Sequence, residues 1–256
     1  MLLSRIVIYP IKSLDGVVVP EVRLTAGGIL EFDRVYAFVD DKGAYVNGKR
    51  TGRIHALRSE FGPGFAEVAL WQTGDSQRQQ FCLREPEKLN AWLSDFFGFG
   101  VKLVHEPKSG YPDDRTAFGP TIVSEASLAT VADWFPEMDV ESSRRRFRSN
   151  LEIANAPPFW EDHLFGAPGE LKPFRVGEAQ FMGHNPCQRC VVPTRDPDKS
   201  TQIPGFQKVF MEMRRRNLPP WSNAERFNHY YRFAINTSVP ETEAGKVLRL
   251  GDAIST

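Results

Sequence analysis

The chain has 256 residues, enough for one large domain or two small ones around a real hydrophobic core. Its 32 Lys and Arg balance 32 Asp and Glu, which removes any global electrostatic case for binding nucleic acid or an acidic membrane. Three cysteines are too few, and odd in number, for a disulfide framework, so a reducing, cytoplasmic setting is expected.

The opening MLLSRIVIYPIKSL is apolar, but Arg5 and Lys12 interrupt it, Pro10 breaks it and no small-residue cleavage site follows. It reads as a first strand rather than a targeting signal. No later run approaches the ~18 apolar residues of a membrane span. The segments GVVVPEVRL, VYAFVD and FAEVALW are short and rich in β-branched and aromatic residues, and turns such as Asp41-Lys42-Gly43 and Asn47-Gly48 separate them. A helix is predicted over Glu85–Phe97, with Pro86 in its first turn and Leu89, Trp92, Leu93 and Phe96 at helical spacing. The Gly-, Pro- and Asp-rich stretch His105–Pro120 reads as a long loop between two halves, and divides the chain into residues 1–106 and 107–256. Beyond it Ser124 is positioned to cap a helix whose Leu128, Val131 and Trp134 face inward. NLEIAN, LKPFRVGEAQFMGH, CVVPT, RFAINTSV and GKVLRLGD read as strands, with a helical insertion at FQKVFMEMRRRN. The arginine runs Arg144–Arg146 and Arg214–Arg216 read as solvated basic faces. The expected class is α+β with strands dominating and a barrel-like core.

Two of the three cysteines sit in HNPCQRCVVPTRDP. Cys187-x-x-Cys190 is open to several readings: half a structural zinc site, a redox pair, or two inert packed thiols. A second Cys or His pair for zinc is not evident, and strand-like residues follow where a redox motif has a helix. The neighbours favour a reactive thiol. Arg189 lies between the two, His184 precedes them and Arg195 follows. A positive field favours thiolate, the soft ligand that thiophilic metals take.

At this motif the chain resembles the MOSC family, and most closely its amidoxime-reducing branch. PCQRCVVPTRDPD is similar to that family's cysteine segment, whose second cysteine ligates molybdenum; here that is Cys190. Residues 8–29 and 32–46 look like the accompanying N-terminal β-barrel domain, IVSEASLATV and RRFRSNLEI like the connecting helix and the following Arg and Asn, and GKVLRLGD like the closing strand and turn. The resemblance implies an N-terminal β-barrel-like domain, a MOSC β-barrel domain with peripheral helices, and a molybdenum cofactor (Mo-molybdopterin) between them. It assigns cofactor contacts to Lys12 and Ser13 of the YPxKS segment, to Arg34, to Arg148 and Asn150, and to Arg189. Ser124 is either a cofactor contact or a plain helix cap. Thr194 is assigned to the oxo region of the metal, and Asp196, with His184 as a further candidate, to proton donation. Lys49 and Arg50 fall in NGKRTGR, a loose match to the family segment, and Cys187 is either a tuning thiol or a packed one. Cys82 is read as structural.

The implied activity is a molybdenum-dependent reduction of N-hydroxylated compounds by oxygen-atom transfer, with electrons from a separate reductase or iron–sulfur protein, since no four-cysteine cluster is present for an appended ferredoxin-like domain. Two rivals are a carrier of cofactor or sulfur, with a persulfide on Cys190, and a binding module without turnover. The lack of a pyridoxal-phosphate domain weighs against sulfur mobilisation.

Overall fold

A computed structural model describes all residues, Met1–Thr256. In chain order its strands are β1 (Leu2–Ile8), β2 (Val17–Val19), β3 (Glu21–Arg23), β4 (Tyr36–Asp40), β5 (Leu57–Phe61), β6 (Glu67–Gln72), β7 (Gln79–Cys82), β8 (Val101–His105), β9 (Ile122–Ser124), β10 (Leu151–Ala154), β11 (Lys172–Val176), β12 (Ala179–Gln188), β13 (Arg232–Ser238), β14 (Val247–Arg249) and β15 (Ile254–Ser255). The helices are α1 (Glu87–Phe97), α2 (Glu125–Ala132), α3 (Val140–Phe147) and α4 (Phe206–Arg216). The class is α+β with strands predominating, as the β-branched runs predict. No helix is long and apolar enough to cross a membrane.

The largest sheet runs β15-β11-β12-β13-β9-β10-β1-β2. Only β9 and β10 are parallel in it, joined through α2 and α3. Its first and seventh strands meet again through the bridge Leu2–Ala253: Leu3 N donates to Asp252 O at 2.8 Å and Ile254 N to Met1 O at 3.1 Å. The ladder therefore curls back on itself around a core that includes Ile6, Ile8, Leu151, Phe174, Phe181 and Ile235. Alternation along β12 decides which side chains face that core: Ala179, Phe181 and Gly183 are buried, while Gln180 and Met182 are only partly covered. Gly183 must stay glycine, because an added Cβ would lie 1.7 Å from the carbonyl oxygen of Leu164. A second core gathers β4–β8 and α1 around Phe38, Val68, Leu70, Leu89 and Leu93, and a third packs α2, α3 and α4 through Leu128, Phe147, Phe206 and Phe210. Burying a side chain of this size contributes about 1.5–3 kcal/mol.

Several sequence expectations change. GVVVPEVRL is two strands in two sheets, because Pro20 has no N–H for the ladder and the chain turns there. CVVPT is not a strand: β12 ends at Gln188, and Val192–Thr194 is a short 3-10 turn in which the Thr194 hydroxyl donates to Val191 O at 2.7 Å. The Ser124 cap is present, its Oγ accepting from Ser127 N at 3.1 Å. Both arginine runs depart from solvated faces. Arg146 is buried and donates to Pro193 O at 3.1 Å and Arg195 O at 2.5 Å. Arg214 is 1% exposed and pairs with the equally hidden Asp162, its guanidinium 4.1 Å above the ring of Phe159. Only Arg215 and Arg216 stand in solvent, paired with Glu212.

Candidate functional site

One large cavity, about 930 Å³, lies between the loops that follow β1 and β4, the 105–120 loop, the end of α3 and the end of β12. Its wall carries fourteen Lys and Arg against seven Asp and Glu, although the chain as a whole is neutral. Such a concentration of one charge in a concave, partly dry site focuses an attractive field on anions.

The loop after β1 supplies Lys12 and Ser13. Lys12 N–H bonds back to Tyr36 O at 2.8 Å, which sets the turn, and Ser13 takes a left-handed backbone with φ 74°. The Lys12 side chain is drawn under the 105–120 loop, where Nζ donates to Tyr111 O and to Asp113 Oδ1, both at 2.8 Å. Burial lowers the Lys12 pKa, and Asp113 partly restores it. Asp113 also receives Lys49 Nζ at 3.2 Å. Desolvation by the surrounding wall pushes the solvent-facing Asp113 carboxyl up, but the Lys12 and Lys49 charges, with Arg34 behind them, hold it well below the usual carboxylate range.

Arg34 and Arg148 also have left-handed backbones, φ 53° and 54°. Left-handed non-glycine residues are uncommon, and three of those in this chain line this one cavity. Arg148 closes the end of α3, so helix termination itself aims it here. The ring of Tyr9 lies beneath both guanidiniums, 4.8 Å from Arg34 and 4.1 Å from Arg148. Arg34 pairs with Asp33 and donates to Asn150 Oδ1 at 3.2 Å; Arg148 donates to Leu14 O at 2.6 Å and faces no carboxylate at ion-pair distance. Asn150 is 1% exposed, and its amide also donates to Val7 O at 2.9 Å. It therefore ties Arg34 to β1 as much as it presents to the cavity.

At the end of β12 lie the thiols. Arg189 Nη1 is 3.2 Å from Cys187 Sγ, and its other Nη donates to Phe147 O. Burial lowers the Arg189 pKa, but the two thiols outweigh it and raise the value. Cys190 Sγ receives Val192 N–H at 3.5 Å, a bond that the 3-10 turn makes possible. Both thiols are only partly covered, and both line the cavity. No group of three or more His, Cys, Asp or Glu converges to hold a metal ion by itself, so protein side chains would leave a metal at Cys190 with other ligands to find.

Of the residues singled out in the sequence, Lys12, Ser13, Arg34, Arg148, Asn150, Arg189 and Cys190 line this cavity, as do Cys187 and Lys49. Three others are spent elsewhere. Ser124 is wholly buried, with its hydroxyl 2.7 Å from Ser127 Oγ. Thr194 caps its own turn. Asp196 Oδ1 receives the N–H groups of Asp198 and Lys199 at 3.0 and 2.8 Å and shapes the 196–200 loop, while Oδ2 lies 3.6 Å from Arg146 Nη2 behind the wall; Asp196 itself does not line the cavity. His184 bonds Ser238 Oγ at 2.7 Å on the far side of β12. Arg50 turns away as well, since only Lys49 of that pair reaches the cavity. Arg195, noted beside the cysteine motif, also lines the wall, and His55 and Arg58, for which no local motif exists, complete it. His55 is pushed down to about 4 by burial and by the charges of Arg195 and Arg148, which keeps its imidazole neutral at physiological pH.

A thiol with open faces beside guanidiniums that lack carboxylate partners suits an anionic, sulfur-accepting group large enough to fill the cavity. The family model described as the MOSC N-terminal beta barrel domain matches residues 1–99, and the model of the MOSC domain matches residues 113–255. The chain is 26% identical over 243 residues to a molybdenum cofactor sulfurase of Drosophila grimshawi, covering 80% of this chain and 30% of that one. It is 25% identical over 236 residues to the enzyme of the same name from Oryza sativa subsp. japonica, covering 73% and 27%. Against the one from Danio rerio the identity is 23% over 238 residues. The chain thus spans less than a third of the length of these relatives.

Proposed function

The chain belongs to the MOSC family, and from that premise we propose that its cavity holds a molybdopterin-type cofactor with Cys190 Sγ as the protein ligand of molybdenum. The carrying observation is the pairing of a free, half-covered thiol with a wall that holds twice as many cations as carboxylates. Lys12 and Arg34 hold the terminal phosphate, with Ser13 beside them. Arg148, stiffened by its stack on Tyr9, supplies a planar donor face to the pterin. Arg189, with Lys49 across the cavity, sets positive charge around the cysteine pair. Neutral His55 offers the cavity a polar ring that adds no further charge. Domain division falls in the 105–120 loop on this reading, so that the cofactor bridges both halves.

When bound, the cofactor supplies two-electron oxygen-atom transfer. On this reading the protein reduces N-hydroxylated compounds: the N–O bond breaks, and the oxygen leaves as water with two protons and two electrons drawn from a separate electron-transfer protein. The test is metal analysis of protein made in a host competent for molybdopterin, followed by turnover of benzamidoxime with an artificial electron donor. One molybdenum per chain, lost in Cys190→Ala, together with benzamidine formation, supports the reading. Zinc alone, retained in that variant, overturns it.

The names of the curated relatives favour a second reading, that of a carrier domain passing cofactor or sulfur through a persulfide on Cys190. It predicts bound molybdenum without benzamidoxime turnover.

A further inference from the structure

The residues assigned to the cofactor leave two guanidiniums at the thiol end of the cavity with no task. Arg226 ends the 3-10 turn Ala224–Arg226, and Arg232 opens β13 directly opposite Gln188, the residue next to Cys187. Both line the cavity, and neither has a carboxylate at ion-pair distance. Arg226 donates to the carbonyls of Ala167 at 2.8 Å and His184 at 2.9 Å. Arg232 donates to Pro186 O at 3.0 Å and Asn228 Oδ1 at 2.8 Å. A guanidinium has five N–H groups, so each retains donors beyond these neutral acceptors. The Nε of Arg232 is buried and has no partner at all.

Charge accounting makes the arrangement unusual. Burial, then repulsion from Arg226, lowers the Arg232 pKa, and the one opposing influence is the Cys187 thiol. Asp114, which also lines the cavity, is engaged by Asn236 Nδ2 at 3.2 Å and by Thr116. Glu225 lines the cavity too, but stands exposed and bonds neither arginine. Two half-buried like charges held side by side, fixed by backbone carbonyls and left without a counter-ion, are costly unless a ligand anion completes them.

We propose that Arg226 and Arg232 form an oxyanion subsite beside the cysteine pair, so that the substrate of this site carries a carboxylate or phosphate besides its reducible group. This inference rests on the preceding reading for the reaction and on the two arginines alone for the anion. The fork geometry of each guanidinium suits either oxyanion, and their position next to Cys187 puts the anion at the substrate's end rather than at Lys12 and Arg34.

The test uses the cofactor-loaded protein. Terephthalate and phenyl phosphate, which carry the anion and nothing reducible, are titrated calorimetrically, and kcat/KM is measured for benzamidoxime and 4-carboxybenzamidoxime. The expected result is binding of at least one of the two anions, weakened at least tenfold in the Arg226→Gln/Arg232→Gln double variant and largely kept in the corresponding double Lys variant. The two titrations distinguish a carboxylate from a phosphate ligand. Preference for the carboxylated substrate, expressed as the ratio of the two kcat/KM values, should be at least tenfold and collapse in the Gln pair. Equal anion binding by wild type and Gln pair, no binding of either anion, or an unchanged ratio overturns the subsite; should the Gln pair fail to fold, the wild-type titrations and ratio decide. Arginine-dependent anion binding without benzamidoxime turnover overturns the reductase reading instead and leaves the subsite standing.

Discussion

On the proposed reading Lys12 holds the cofactor's phosphate, and Asp113 already occupies that lysine, so Asp113→Asn should tighten anion binding. Its carboxylate takes Lys12 Nζ at 2.8 Å and Lys49 Nζ at 3.2 Å. The Lys12 side chain is only 8% exposed, but that of Asp113 is 62% exposed, so solvent screens the pair and the full Coulomb energy does not apply. Pairs of this kind contribute about 0.2–1 kcal/mol each. The Lys12 contact belongs near the top of that range and the Lys49 contact, exposed at both ends, near the bottom. An incoming phosphate gives up about 1.2 kcal/mol to displace them, which corresponds to roughly five- to tenfold in affinity. Isoelectronic Asn keeps the shape and removes the charge. Calorimetric titration of inorganic pyrophosphate into the cofactor-free protein reads the effect directly. The gain should be full near neutral pH and shrink as pH rises, because Lys12 already titrates below its ordinary value through burial and loses in Asp113 the group that raises it. Unchanged or weaker binding in Asp113→Asn would refute the competition and recast Asp113 as part of the binding surface.

Other expectations follow from the same contacts. Lys12→Ala should reduce molybdenum retained after dialysis at least tenfold, measured by elemental analysis; full retention would remove Lys12 from the phosphate site. Arg214→Ala strands Asp162 in the core, since both members of that pair are about 2% exposed. The cost is about 3–5 kcal/mol, read as a lower midpoint in urea, and a loss below about 1 kcal/mol would mean that Asp162 is neutralised by protonation. Glu161 is fully buried, and burial with the neighbouring Asp162 raises its carboxyl to about 7. The folded state then holds a proton that the unfolded state has released, so stability falls as pH rises from about 4.5 to about 7 and is lower by about 3 kcal/mol above that window. Glu161→Gln should flatten that slope in urea titrations at pH 5 and pH 8; an unaltered slope would place the titration elsewhere.

The class of fold was legible because local pattern and tertiary role coincide over much of the chain. β1 and β4 are short apolar runs that end up as buried strands, and α1 shows its apolar stripe and closes on left-handed Gly98. Misreadings arose where one residue decided a local outcome. Pro20 redirects a run that looks continuous, and Pro193 turns an apolar run into a 3-10 turn. VESSRRRF looks like a solvated helix because composition counts charges, whereas Arg146 is buried by carbonyls of a loop some fifty residues away, at positions 193 and 195. The same limitation governs the site. Lys12, Arg34, Arg148 and Cys190 were legible as a family pattern, and the fold brings them to one cavity. Ser124, Thr194 and Asp196 share that segment-level pattern, yet Ser124 and Thr194 bond within their own turns and Asp196 bonds its own loop and Arg146, choices made by backbone geometry. Arg226 and Arg232 belong to no motif; the pairing of β12 with β13 sets Arg232 beside the thiols, and the Ala224–Arg226 turn with its bond to His184 O holds Arg226 there.

Net charge was the least informative number in the sequence, and the fold explains why. A chain with equal counts of acids and bases is neutral only as a sum. Here the cavity wall holds seven more cations than carboxylates, so the rest of the molecule must carry seven more carboxylates than cations. An anion therefore finds net negative charge over the rest of the molecule and the opposite sign at the cavity, where concave walls strengthen the field. Segregation of this kind demands that arginines be held against one another, which the protein does with the Tyr9 ring, with carbonyl acceptors and with left-handed backbones at Ser13, Arg34 and Arg148. On the proposed reading those devices cost stability in the free protein and return it when a multiply charged ligand arrives, so that the strain and the unpaired guanidiniums become two aspects of one preorganised anion site.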